Sequence, residues 1–468
     1  MPDAVPSANA IRQALGDPET AKGRAFELAK GISYFLNGED DRTARELVIR
    51  ALDRKDIFDS IPTLLDTFAR EVGLFPYTEP DVLSVQDQLA YEFHRPDALE
   101  LRGHEVVFHR EQAEIYRDLL TGQSVVLSAP TSFGKSLIID ALVATYEFQT
   151  IVIIVPTIAL IDETRRRLVR FRDRYKVVTH NSQSRDERTI FVLTQERAVD
   201  RDDLEDIDLL VIDEFYKLDP GKETENDRSS TLNHAFYKLN RQAKQLYLLG
   251  PNINEIPDGF GRRFKCVFKR TDYNTVVSQI HRVAWRPDRK KALVKLCGGL
   301  TDPTLIYCKS PRQTHEAAAL LVDAGLGIHR PILSAAAAWI GREYHAGWSF
   351  VAALEHGVGL HHGDIPRALS QLNIALFNEG ILPFLVCTST LIEGVNTAAK
   401  NVIVYENKIA TTKLDFFTFN NIKGRSGRMF QHFLGNVFIF DQEPEEELDF
   451  VDIPAFTQGE NAPLGLFV

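Results

Sequence analysis

The rhythm of apolar and polar positions changes along the chain. Up to about residue 105 apolar residues recur at three- and four-residue intervals. Leu47, Val48, Ile49, Ala51 and Leu52, then Phe58, Ile61, Leu64, Leu65 and Phe68, predict amphipathic helices. Gly73-Leu74-Phe75-Pro76-Tyr77 interrupts that pattern. From about 106 to 285 short β-rich runs alternate with helical stretches: Val125–Leu127, Ile151–Val155, Ile190–Leu193, Leu209–Ile212 and Leu246–Leu249. Such alternation predicts crossover units on a parallel sheet. Residues 286–300 read as a linker with a helix. The alternation resumes over 301–445 with Leu305–Cys308, Val358–His361, Phe384–Thr388, Val402–Tyr405 and Val437–Phe440. An acidic run, Glu443–Asp449, is expected to be solvated, and a C-terminal tail is placed at 446–468. The expected fold class is α/β. Two tandem parallel-sheet domains (106–285 and 301–445) follow a helical N-terminal module (1–105), which is expected to pack on the first of them.

Composition narrows the class. With 468 residues, 44% hydrophobic and 25% charged, the chain has the mix of a soluble multidomain protein. It is not collagen-like, disulfide-stapled or wholly disordered. No apolar run approaches the ~18 residues of a spanning helix, and the N-terminus has no apolar core. These features predict a cytoplasmic protein with no membrane partner. Cys266, Cys297, Cys308 and Cys387 form no C-x-x-C pair, which argues against a zinc site or a disulfide framework. The net charge of −11 alone disfavours a nucleic-acid partner. Basic residues are nevertheless concentrated in the helix Thr164–Arg174 and in the cluster Arg262, Arg263, Lys265, Lys269 and Arg270. These two stretches are the candidates for a local positive surface.

The strongest chemical signal is Ala129-Pro130-Thr131-Ser132-Phe133-Gly134-Lys135-Ser136, set between a strand and a helix. A loop at a helix N-terminus points N–H groups and the helix dipole at an anion. Gly134 lets the backbone approach phosphates, Lys135 supplies a cation, and Ser136 offers a hydroxyl to Mg2+. The general pattern has glycine where Ala129 stands. The second signal is Leu209-Leu210-Val211-Ile212-Asp213-Glu214, an apolar strand running into two carboxylates. At the C-terminal edge of a parallel strand, Asp213 would hold Mg2+ and Glu214 would orient or deprotonate water. The implied ligands are ATP and Mg2+.

With these residues the chain resembles the superfamily-2 nucleic-acid helicases of the DExH kind, closest to the superkiller-like group. The resemblance covers about 106–441 and implies two tandem RecA-like domains that clamp ATP. Val155-Pro156-Thr157 and Thr194-Gln195-Glu196-Arg197 are similar to that family's backbone-contacting motifs, which makes Pro156, Thr157, Thr194 and Gln195 candidate nucleic-acid contacts. Gln112 stands where the family reads adenine. Leu249-Gly250-Pro251-Asn252 occupies the place of the usual Ser-Ala-Thr.

In the second half, Leu305–Ser310 and Gly359-Leu360-His361-His362-Gly363 resemble motifs that carry Ser310, His362 and Gly363 to nucleic acid. Thr388–Asn396 resembles the motif that touches both ligands, with Thr388 on nucleic acid and Gly394 and Asn396 on nucleotide. Asn421–Arg428 resembles the sixth motif, although the family has Gln where Asn421 stands. It implies that Arg425 and Arg428 act on the γ-phosphate from the second domain. A planar guanidinium matches the charge spread over phosphoryl oxygens.

Residues 52–77 are similar, more weakly, to the front of the helicase subunit of Hachiman-type anti-phage systems. That likeness implies a nuclease or other protein partner. Superkiller-like enzymes usually continue past the sixth motif into winged-helix and ratchet domains. The short stretch after Arg428 leaves no room for these, so processive unwinding is expected to need a partner or a longer chain. The expected function is an ATP-hydrolysing motor on DNA or RNA. The alternative is a nucleotide-dependent switch or assembly ATPase that acts on a protein partner.

Overall fold

The computed structural model describes the chain apart from residues 1–5, 18–20, 22, 79–84, 97–99, 102–103, 146, 221–225, 252, 393–396, 398, 428–431, 446–450, 452 and 458–468. It divides into two compact lobes, residues 66–274 with 448–468, and residues 1–65 with 275–447.

The first lobe is built on seven strands: β1 (Ser124–Ser128), β2 (Thr150–Ile154), β3 (Lys176–Val178), β4 (Thr189–Leu193), β5 (Ile207–Asp213), β6 (Ala243–Gly250) and β7 (Cys266–Arg270). They lie in the order β3-β4-β2-β5-β6-β1-β7, and every pairing is parallel. β1, β2 and β4 are buried along their whole length, as expected of a sheet covered by helices on both faces. Their Val, Ile and Leu runs suit that position because branched side chains pack well on a pleated surface.

The main sheet of the second lobe has six strands: β8 (Val277–Arg282), β9 (Thr304–Tyr307), β10 (Val358–His361), β11 (Phe384–Cys387), β12 (Asn401–Val404) and β13 (Leu434–Ile439). Their order is β8-β13-β12-β9-β11-β10, again all parallel. The division between the lobes falls at Asn274/Thr275, earlier than the sequence pattern suggests. Val277–Arg282 pairs in register with Leu434–Ile439, so it is an edge strand of the second sheet. Within 286–300, Arg289–Gly298 is a helix whose N-cap, Asp288, accepts the N–H groups of Lys290 and Lys291.

The N-terminal helices differ most from expectation. Ala8–Gly16, Ala25–Leu36 and Asp41–Asp53 belong to the second lobe, where Asp41–Asp53 packs on β8 and β13. Leu47, Val48 and Ala51 are fully buried there, while Glu46 accepts from Arg12 and Arg50. The helix Pro62–Glu71 crosses the division, and the chain from Asp66 belongs to the first lobe. There Tyr273 Oη donates to the Val72 carbonyl at 2.7 Å, and the Arg110 N–H donates to the Gly73 carbonyl at 2.9 Å.

Residues 446–449 of the acidic run lie outside the described residues, and the described residues that follow are packed on the first lobe. Val451 and Ile453 are buried in the first lobe, and Phe456 packs edge-on against Phe260 and Phe264. Val451 and Ile453, two positions apart, supply the apolar side that is buried.

Candidate nucleotide site and sheet-edge motifs

The phosphate loop leaves β1 through a 3-10 turn, Thr131–Phe133, and enters the helix Lys135–Thr145 at Gly134. Gly134 has φ +79°, and a Cβ there would lie 2.5 Å from Gln112 Nε2. Lys135 Nζ donates to the carbonyls of Ala129 (2.8 Å) and Pro130 (3.0 Å), so the ammonium lies across the loop's mouth. Behind the loop sits a buried pair. His109 caps the helix Arg110–Leu120 by accepting the Gln112 N–H at Nδ1, and Gln112 Oε1 accepts the His109 N–H. His109 Nε2 and Gln112 Nε2 both donate to the Phe133 carbonyl, at 3.1 and 2.8 Å. Gln112 is 0% exposed, so its amide is committed to shaping the loop. An adenine contact would require it to let go.

Strand register brings the two chemical motifs together. Leu249 of β6 pairs with Leu127 of β1 on one side and Asp213 of β5 on the other. The loop and the carboxylates therefore flank a single strand, about 10 Å apart at the ~4.8 Å strand spacing. Glu214 has φ +57°, an uncommon value for a non-glycine residue. It bends the chain off the sheet edge, and its N–H donates to Asp213 Oδ1 at 3.1 Å. Gly250 ties the pieces together. Its carbonyl accepts the Ala129 N–H at 3.0 Å, and a Cβ on it would lie 3.3 Å from the Phe215 ring and 2.6 Å from Ile253. The departure from Ser-Ala-Thr at this point thus has a packing reason, because a side chain would strike Ile253 and crowd Phe215, the residue after Glu214. Asn252 lies outside the described residues.

Ser136 and Asp213 are the proposed metal holders. Their donor set, one exposed hydroxyl and one carboxylate, is hard oxygen and suits Mg2+. Among the described residues no three His, Cys, Asp or Glu side chains could hold an ion by themselves, so further ligands would come from phosphate and water. All four cysteines are free and buried, and burial pushes the Cys266 thiol up to about 11 and Cys297 to about 12.

The nucleic-acid candidates of the first lobe also lie at C-terminal strand ends. Pro156 and Thr157 follow β2, and the Thr157 hydroxyl caps the next helix by accepting the Leu160 N–H. Thr194 and Gln195 follow β4 and are buried. The basic helix is only in part an exposed positive surface. Arg167 and Arg170 pair with Asp140, which is 1% exposed, and Arg174 donates to the Ala144 carbonyl. Burial raises the Asp140 pKa against the pull of both guanidiniums, while Arg165, Arg166 and Arg172 remain exposed. In the other basic cluster Lys269 pairs with Asp118.

The second lobe repeats the arrangement at its own sheet edge. Ser310 precedes the helix Pro311–Asp323 after β9, His362 and Gly363 follow β10, and Thr388 follows β11. The Thr388 N–H donates to the His361 carbonyl, and its hydroxyl meets Thr390 at 3.1 Å. Arg425 follows the helix Phe416–Lys423 and is close enough to β11 to lower the pKa of the Cys387 thiol against burial. Arg428, Gly394 and Asn396 lie outside the described residues.

Residues 109–248 match the family model "DEAD/DEAH box helicase". The chain carries a DEAD/DEAH box helicase domain. Residues 1–88 match the "Anti-bacteriophage protein B N-terminal domain". The chain is 42% identical over 454 residues to Anti-bacteriophage protein B of Escherichia coli (strain K12), covering 94% of this chain and 60% of that protein. It is 22% identical over 395 residues to Helicase POLQ-like of Caenorhabditis elegans, covering 73% of this chain and 42% of that protein. A match to Probable ATP-dependent DNA helicase HFM1 of Mus musculus is 31% identical over 105 residues, covering 22% of this chain and 7% of that protein. The chain therefore spans less than two thirds of the length of each of these relatives, and about three fifths of the first. Among its described residues no helix is long and apolar enough to cross a membrane.

The helicase match begins at His109, where the buried cap supports the phosphate loop. Three residues near the sites escaped the sequence reading. Tyr273 stacks on His109 at 4.6 Å. Arg228 donates to Glu196 at 3.1 Å and to the Pro156 carbonyl, which joins the segments after β2 and β4. His315 meets His362 with Nε2 to Nε2 at 3.0 Å. None carries a local motif, because each acts through a partner at least 32 positions away in the chain.

Proposed function

We propose that this chain is an ATP-hydrolysing motor on single-stranded or partly duplex DNA or RNA, working in anti-phage defence with a nuclease or other protein partner. The observation behind the reading is that β1, which runs into the loop carrying Lys135 and Ser136, and β5, which ends at Asp213 with Glu214 next, flank the same strand, β6, in the region matched by the helicase model. In this reading Lys135 and the Thr131–Gly134 backbone bind the phosphates, Ser136 and Asp213 hold Mg2+, and Glu214 takes the proton of the attacking water. Bound Mg2+ would neutralise charge on the phosphoryl oxygens. Arg425, with Arg428 beyond the described residues, would be supplied by the second lobe, so lobe closure would gate turnover. Gly394 and Asn396 would add nucleotide contacts. Pro156, Thr157, Thr194, Gln195, Ser310, His362, Gly363 and Thr388 would track the nucleic-acid backbone along the two sheet edges. The anti-phage context rests on the N-terminal family match and the name of the 42%-identical relative.

The test is phosphate release with and without single-stranded DNA and RNA, at low and moderate salt. Stimulation that weakens with salt is expected. Lys135→Ala should abolish turnover, and Glu214→Gln should retain bound ATP with hydrolysis reduced at least about a hundredfold. Wild-type turnover in either variant refutes the site. A second reading, a nucleotide switch acting on a protein partner, draws on Gly250-Pro251, which lack hydroxyls where the resembled family has them. Turnover indifferent to nucleic acid would support it.

A further inference from the structure

The motor reading does not use the segment between the helix Pro311–Asp323 and β10. This segment carries the helix Pro331–Glu343, which buries Leu333, Ala337 and Ile340 and turns Ile332 and Trp339 outward. Trp339 is 50% exposed and Tyr344, just past the helix, 49%. The Tyr344 ring lies 5.9 Å from Trp348, which stacks at 4.6 Å on the buried Phe350 and is thereby fixed in orientation. Arg330, Arg342, His329 and His345 are exposed along the same stretch, and Glu343 is its sole carboxylate between 329 and 348.

A hydrogen-bonded line joins this surface to the strand-end motif. Ser349, next to Trp348, meets His315 Nδ1 at 2.9 Å, and His315 Nε2 meets His362 Nε2 at 3.0 Å. Exposed flat rings interleaved with cations are what unpaired bases and phosphates require. A protein-docking helix would instead be expected to present aliphatic knobs, and Ile332 is the one large aliphatic exposed on this helix.

We propose that residues 329–348 form a stacking platform for single-stranded nucleic acid, with Trp339 and Tyr344 against bases and Arg330 and Arg342 on phosphates. The proposal rests on the motor reading and extends its nucleic-acid path beyond His362 and Gly363. It explains why exposed tryptophan is tolerated in a chain that has three tryptophans in all.

The test uses the full chain and measures the affinity of labelled oligo-dT and oligo-U by fluorescence anisotropy, with tryptophan emission followed in parallel. Each stacked ring is worth about five- to 150-fold in affinity, corresponding to about 1–3 kcal/mol per base. Trp339→Ala with Tyr344→Ala should therefore weaken binding at least about tenfold. Trp339→Phe should retain most of the affinity while losing part of the emission quench seen when oligo-dT binds the wild type. Both rings are half exposed, so the substitutions leave the core intact, and a thermal melt verifies this. Unchanged affinity in the double variant, or wild-type emission unmoved at saturating oligo-dT, overturns the platform and leaves the face to a protein partner. Failure of the wild type to bind either oligonucleotide overturns the motor reading along with it.

Discussion

Replacing Gln112 by alanine separates two roles that the resemblance and the geometry assign differently. The side chain is fully buried, accepts the His109 N–H at 3.2 Å and donates to the carbonyls of Phe133 (2.8 Å) and Gly134 (3.4 Å). Truncation leaves the buried His109 N–H without that acceptor, at about 1–3 kcal/mol. It also removes two donors from the loop, each worth about 0.5–1.5 kcal/mol net. The Phe133 carbonyl keeps His109 Nε2, which moderates the loss. If about 1.4 kcal/mol of the total falls on ordering the loop, nucleotide affinity drops about tenfold. Because the support acts on the phosphate cradle and not on the base, ATP and GTP should lose affinity by the same factor. Fluorescent-nucleotide titration of both ligands against wild type and variant measures this. A loss confined to ATP would refute loop support and restore the adenine-reading role. Gln112→Glu should be no milder than alanine, since a carboxylate cannot donate to either carbonyl.

Gly250→Ala should lower kcat with a smaller change in KM, because its Cβ would press on Ile253 and on Phe215 beside Glu214, an overpacking of about 1–3 kcal/mol; wild-type kcat would count against the coupling. Asp140→Asn should destabilise the first lobe by about 3 kcal/mol, since it leaves two guanidiniums, each about a quarter exposed, facing a neutral group. Faster limited proteolysis of that lobe would report it, and an unchanged rate would refute the pairing. Burial pushes His361 down to about 4, so between about pH 4 and 6.5 the unfolded chain binds more protons there than the folded one. Stability of the second lobe should therefore fall on acidification through that window by up to about 1.4 kcal/mol per pH unit, and the urea midpoint of His361→Leu should fall less steeply than wild type.

The sequence alone determined whatever depends on local chemistry. Val125–Ser128 running into Gly134-Lys135-Ser136, and Leu209–Ile212 running into Asp213-Glu214, declare a strand, a turn and a charge within a dozen residues. Such signals survive without tertiary context because backbone geometry at a strand end requires those residue types. Which segment joins which lobe was decided by tertiary structure. Val277–Arg282 reads as a strand wherever it lies, and only its pairing with Leu434–Ile439 assigns it to the second sheet. The helix Asp41–Asp53 shows its apolar face in the sequence, but not that β8 and β13 cover it. The arginines of the basic helix look alike as letters, yet Asp140 claims two of them from another helix. Periodicity records that a face is buried. The partner that buries it is fixed by packing and charge pairing between residues distant in the chain, and these leave no local mark.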